Sequence, residues 1–140
     1  MMQRSNMGMV VLRGKVVKGI GEGRKYVEIY SIEIEKTLGF RPFPGTLNVL
    51  LDKESIHKIV SVYNTKPYAV IKPPLNDLAD VYVWKCCIAK SGSSDKVESY
   101  VVRPAKTVYD VSVVELISSE YIRKRLGLSD GNAVEIVVFT

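Results

Sequence analysis

Short runs of valine and isoleucine, each ended by glycine, proline or an Asx–Gly turn, limit this chain to a strand-rich fold. Met9 to Val17, Thr46 to Leu51, Tyr68 to Lys72, Val81 to Ala89, Val97 to Arg103, Val111 to Ile117 and Ala133 to Phe139 all read as strands, because β-branched residues suit a pleated, half-buried surface. Tyr26-Val27-Glu28-Ile29-Tyr30 alternates in polarity and is predicted as a further strand. The polar turn Ser91-Gly92-Ser93-Ser94-Asp95 joins two of these runs into a hairpin. Helical signals are fewer. Ser31 to Leu38 is closed by Gly39, Asp52 caps a segment to Val62, and Glu120 to Leu126 is capped by Ser118 or Ser119 and ended by Gly127. About seven or eight strands without regular alternation with long helices disfavour a doubly wound parallel sheet. A mainly β, closed barrel with short helical inserts is expected, since closure removes exposed strand edges.

The 140 residues suffice for one domain, expected over 1–140 with residues 1–8 as a flexible leader. Hydrophobic residues make up 46% and charged residues 25%, a globular balance that excludes a disordered chain. A net charge of +5 suits a polyanionic partner, yet the densest basic group is only Arg123-Lys124-Arg125. The two cysteines, Cys86 and Cys87, are adjacent, so a disulfide between them would be strained and no metal-ligand spacing exists. With no signal peptide and no run of apolar residues long enough to span a bilayer, a reduced cytoplasmic setting is expected. The single histidine, His57, falls on a surface helix and supports no catalytic triad. Phosphoryl transfer survives these exclusions, because it needs positioning and electrostatics more than a dedicated nucleophile.

Three places could carry such chemistry. Gly19-Ile20-Gly21-Glu22-Gly23-Arg24 is predicted as a glycine-rich hairpin loop whose amides can approach an anion. It lacks the Lys-Ser/Thr of a phosphate-binding P-loop, and no helix is expected to follow at once; a plain tight turn would read the same. In Gly45-Thr46-Leu47-Asn48, the threonine and asparagine share one face of a strand. Two neutral hard oxygens suit Mg²⁺ if bound phosphates balance its charge, although a solvent-facing strand start has the same pattern. The third is the cluster Lys106-Thr107, Glu115 and Glu120-Tyr121-Ile122-Arg123, in which Glu115 shares a face with Val111, Val113 and Ile117, and a carboxylate there is costly without a partner, whether an ion pair or a ligand.

The ordered set of motifs resembles the archaeal-type CTP-dependent riboflavin kinases. Gly14-x-Val16-x-x-Gly19-x-Gly21-Glu22-Gly23-Arg24 is followed by Leu38-Gly39-Phe40-x-Pro42-Phe43-Pro44-Gly45-Thr46-Leu47-Asn48, then Pro104-x-Lys106-Thr107, Glu115-Leu116-Ile117, Arg123 and Leu128-x-Asp130-Gly131. The resemblance implies a six-stranded cradle-loop barrel that transfers the terminal phosphate of CTP to the ribityl 5′-hydroxyl of riboflavin, giving FMN and CDP. It implies Mg²⁺ on Thr46 and Asn48, and the nucleotide on Gly19, Ile20, Gly21, Glu22, Gly23, Arg24, Glu120, Tyr121, Ile122 and Arg123. Thr107 and Glu115 would contact the flavin. Many members carry an N-terminal winged-helix domain, which is not expected here. The carboxylate of Glu115 in its apolar strand also suits a base for the 5′-hydroxyl. The chain departs from the pattern at Tyr109, Ser118-Ser119 and Asn132, where members often have histidine, Ala-Pro and aspartate. Riboflavin/FMN and CTP/CDP are therefore the expected partners of a monomer, with no nucleic acid and no membrane. The alternative is a non-catalytic nucleotide- or nucleic-acid-binding barrel module.

Overall fold

Alternation along the first strand, β1 (Met9–Val17), sends Leu12 and Val16 into a common interior while Arg13 and Lys15 stay exposed. The same rule builds β2 (Leu47–Leu51), β4 (Val81–Lys90), β5 (Lys96–Pro104), β6 (Val113–Ile117) and β7 (Ala133–Phe139), with a short β3 (Ala69–Ile71) between β2 and β4 in sequence. These elements come from a computed structural model describing residues 8–19, 21–107 and 110–140. The predicted leader lies outside these residues except for Gly8, and Ile20 and Tyr109 lie outside them too.

The sheet runs β3-β4-β5-β6-β2-β1-β7, and a further pairing of β4 with β7 closes it. Cys86 to Lys90 of β4 pair with Val134 to Val138 of β7, while β3 takes the other half of the same β4 edge at Val81 to Val83. Six strands therefore form a closed antiparallel ring, the barrel expected from the sequence, and β3 is an addition outside it. Leu47, Val49, Leu51, Trp84, Cys86, Ile88, Val101, Val114, Leu116, Ile136 and Val138 fill its interior. Gly14 is required where β1 crosses β2, because a Cβ there would strike the Leu50 carbonyl.

Helix α1 (Gly23–Leu38) replaces the predicted strand at Tyr26–Tyr30 and begins earlier than the helix expected at Ser31. Its buried residues are Val27, Tyr30 and Ile34, spaced three and four apart. That spacing makes one helical stripe, and a five-residue window that also alternates cannot separate the two periods. Gly39 closes the helix as expected, at φ +82°, donating its N–H to Glu35 at 2.9 Å. The stripe covers the outer barrel face formed by Ile71, Val81, Val83, Tyr100, Val102 and Ile117, a second core separate from the interior.

Helix α2 (Lys53–Tyr63) is capped as predicted by Asp52, whose carboxylate accepts from the Ser55 N–H at 2.8 Å. It adds Ile59 and Val62 to the interior core and leaves His57 exposed. Helix α3 (Ile122–Leu126) differs from expectation at its start, where Tyr121 is the N-cap and no side chain caps it. Ser118 instead braces the turn before it, donating to the Glu98 carbonyl at 2.9 Å and accepting from the Glu120 N–H at 3.2 Å. Cys86 and Cys87 are both free thiols. Burial pushes Cys86 up to about 12, so it stays protonated beside Ser99. No helix among the described residues is long and apolar enough to cross a membrane.

Candidate active site

Asn48 pairs across strands with Glu115, so the two side chains leave the same outer face of the barrel. Their neighbours in sequence, Leu47, Val49, Val114 and Leu116, turn into the interior. Thr46 immediately precedes β2. Its Oγ1 and the Asn48 Oδ1 are buried and have no hydrogen-bond partner. Leaving such an atom unpaired costs about 1–3 kcal/mol, so two together are a deficit that a ligand can make good.

The glycine-rich segment reaches this pair by a route the sequence did not suggest. It is not a hairpin loop, because it runs from the end of β1 straight into the N-terminus of α1. The reason is the helical stripe that begins at Val27, which needs Gly23 to Tyr26 as its first turn. Gly23 stands against Thr46 so closely that a Cβ would collide with Oγ1, and Gly21 adopts φ +91°. No side chain caps the helix at Glu22, and its first turn carries no acidic residue. The uncapped N-terminus of α1 thus lies beside the unpaired Thr46 oxygen, an arrangement that favours an anion.

Two cavities flank these oxygens. The larger, of about 300 Å³, is lined by Lys25, Tyr26, Leu78, Thr107 and Glu115 among others, and its walls are mainly apolar. The smaller, about 40 Å³, is lined by Phe43, Thr46, Glu120, Tyr121, Ile122 and Arg123. One of its walls is a parallel stack of Phe43 on Tyr121, with centroids 4.4 Å apart at 5°. Arg123 is oriented by Asp130 at 2.7 Å and reaches the Val17 carbonyl at 3.5 Å, next to the glycine segment. Thr46 faces the smaller cavity and Glu115 the larger, so the oxygen cluster forms the partition between them.

Burial raises the Glu115 carboxyl above its ordinary range, and the Thr46 hydroxyl and Arg103 pull it part of the way back. That hydroxyl acts on Glu115 through its proximity, since no hydrogen-bond geometry closes on Oγ1.

Most of the predicted site residues are thereby brought together: Gly23, Thr46, Asn48, Glu115 and Thr107 on one side, Glu120 to Arg123 on the other. Arg24 is not. It is exposed on the outer face of α1, 3.7 Å from Glu28, and lines neither cavity, because the first helical turn carries it away from Thr46. Ile20 lies outside the described residues. Lys25 and Tyr26 line the larger cavity without having been singled out as site residues. A helical reading from Gly23 would have placed Tyr26 one turn before Tyr30 on the same face.

The family model CTP-dep_RFKase, described as domain of unknown function DUF120, matches residues 16–138. The chain belongs to the CTP-dependent riboflavin kinase family. Curated relatives named riboflavin kinase agree with this. The one from Staphylothermus marinus is 34% identical over 93% of this chain and 92% of its own. The Ignicoccus hospitalis relative is 39% identical over 93% of this chain and 72% of its own. That from Sulfurisphaera tokodaii is 36% identical, covering 91% and 94% respectively. Membership in this kinase family makes the molecule a phosphotransferase, and two cavities meeting at one oxygen cluster are what such an enzyme needs.

Proposed function

We propose that this chain phosphorylates riboflavin to FMN, taking the terminal phosphate of CTP and using Mg²⁺. The observation that supports the reading is the partition: unpaired Thr46 and Asn48 oxygens on one strand face, Thr46 against the start of α1, with the small cleft of Glu120 to Arg123 on one side and the larger apolar cavity on the other. The larger cavity falls at the lower end of the range for small-molecule sites and takes the flavin. The smaller cleft, with the glycine segment, takes the nucleotide.

Thr46 Oγ1 and Asn48 Oδ1 fit a hard divalent cation, being neutral oxygens that lack any other partner. Among the described residues no cluster of three or more His, Cys, Asp or Glu offers a competing metal site. When bound there, Mg²⁺ supplies charge neutralisation on the triphosphate. The amides at the start of α1 hold the phosphates, with Arg123 on the opposite wall of the smaller cleft. Glu115, raised by burial, accepts the proton of the ribityl 5′-hydroxyl as its oxygen bonds to the terminal phosphorus, and the bond to CDP breaks.

Incubation with riboflavin, Mg²⁺ and each of the four nucleoside triphosphates, with FMN resolved by chromatography, tests donor and acceptor together. FMN is expected with CTP and none after chelation of the metal. Absence of FMN with every triphosphate, alongside salt-sensitive binding of oligonucleotides, would replace the enzyme with a binding module.

A further inference from the structure

Tyr26 carries a buried hydroxyl that nothing in the protein satisfies. Tyr26 forms part of the wall of the larger cavity, beside Tyr30 in the same wall. Tyr30 packs on it at 5.1 Å between centroids, and the Tyr30 hydroxyl is itself fixed by donating to the Ala79 carbonyl at 2.5 Å. A rigid phenol with an unpaired hydroxyl beside a cavity is set for a partner that the ligand brings.

Burial, the nearby Glu115 carboxylate and Tyr30 all raise the Tyr26 phenol well above its ordinary range, so the hydroxyl keeps its proton and can donate. Glu115 beside it accepts. The pair therefore matches a ligand that presents an acceptor and a donor side by side, as adjacent alcohol groups do. Its place in the cavity selects which part of the ligand that is. Glu115 lies opposite Asn48 and next to Thr46, at the partition where the phosphate must cross. Ile29, Leu78 and Pro104 supply apolar wall for a flat ring elsewhere in the same cavity.

We propose that the Tyr26 hydroxyl donates a hydrogen bond to the polyol chain of the acceptor substrate, a positioning contact that holds the terminal hydroxyl of that chain against Glu115. This rests on the larger cavity being the riboflavin subsite. The contact reads the presence of a hydroxylated side chain, so it selects a ribityl flavin over a bare isoalloxazine.

The test compares wild type and Tyr26→Phe by titration with riboflavin and with lumiflavin, which has the same ring system and a methyl group in place of the ribityl chain. Tyr26→Phe should weaken riboflavin binding about tenfold and leave lumiflavin binding unchanged. In turnover assays KM for riboflavin should rise while KM for the nucleotide stays constant. The ligand-free melting temperature should hold or increase, because the variant deletes an unpaired polar atom, whereas a structural role would lower it. Wild-type riboflavin affinity in the variant, or an equal loss for both flavins, overturns the inference and leaves the subsite reading standing. A wild-type protein that binds neither flavin overturns both.

Discussion

Glu115 shows how one side chain can be expensive in the free protein and useful in the working one. It sits half-buried between Val102 and Asn48 on neighbouring strands, and burial raises its carboxyl above the ordinary value. A raised folded-state value means that the native protein holds the proton more tightly than the unfolded chain does. Its contribution to stability is therefore complete below the ordinary carboxylate range and is lost as pH rises through the raised value. Glu115→Gln should consequently melt higher than wild type at neutral pH, and the gap should close on acidification below the ordinary range. If Glu115 is the base, wild-type turnover should rise with pH across the same window, and Glu115→Gln should lose that limb. Near-normal turnover with weakened riboflavin binding would leave Glu115 as a contact only. The oddity was readable in advance, since a carboxylate sharing a strand face with Val111, Val113 and Ile117 has no ordinary reason to be there. What could not be read was its neighbour across the sheet, because register depends on strands far apart in sequence.

At the level of elements, α1 does two jobs that its sequence signals pull in different directions. Gly23 is needed for close approach to Thr46, but glycine is a poor helix former. At an unconstrained helical position Gly→Ala adds stability, commonly about 0.4–1 kcal/mol. Here the sign should reverse: Gly23→Ala should lower the melting temperature and weaken nucleotide binding, since the added methyl forces the helix start away from Thr46. Combining it with Thr46→Ala should recover part of the lost stability, and a double-mutant cycle on melting free energies measures that coupling. Strictly additive effects would mean that the approach is not constraining. The same glycine segment explains the main misreading of the sequence. Tyr26, Glu28 and Tyr30 alternate, and only the continuation through Ile34 to Gly39 exposes the helical period. The Asp52 cap, β1, β7 and the β4–β5 hairpin were legible because caps, turns and long β-branched runs are local signals. The start of α1 was not, because it is set by what the helix packs against: Tyr100, Val102 and Ile117 from the far end of the chain.

Across the whole molecule, the barrel interior and the larger cavity occupy different layers. The interior core holds the ring together, while the larger cavity lies outside it against α1, and the smaller one opens at the barrel's edge over Leu47, Leu116 and Ile122. Under the proposed assignment that helix brings Gly23 and its first amides to the nucleotide side and Tyr26 and Tyr30 to the flavin side, so loosening it should disturb both ligands together. Ile34 and Ile136 give a matched comparison, since both are fully buried, Ile34 on the inner face of α1 and Ile136 in the barrel seam opposite Ile88. Truncation of either to alanine should cost about 2–5 kcal/mol through lost contacts and an incompletely filled cavity. The stability losses should be similar, but their consequences for binding should not. Below its melting transition Ile136→Ala should bind CTP and riboflavin as wild type does, because Ile136 lines neither cavity. Ile34→Ala should weaken both ligands at the same temperature, with far-ultraviolet circular dichroism reporting whether α1 has frayed. Equal binding by the two variants would show that the outer layer is held by the barrel strands alone, and that α1 needs no anchor of its own to keep the two halves of the site in register.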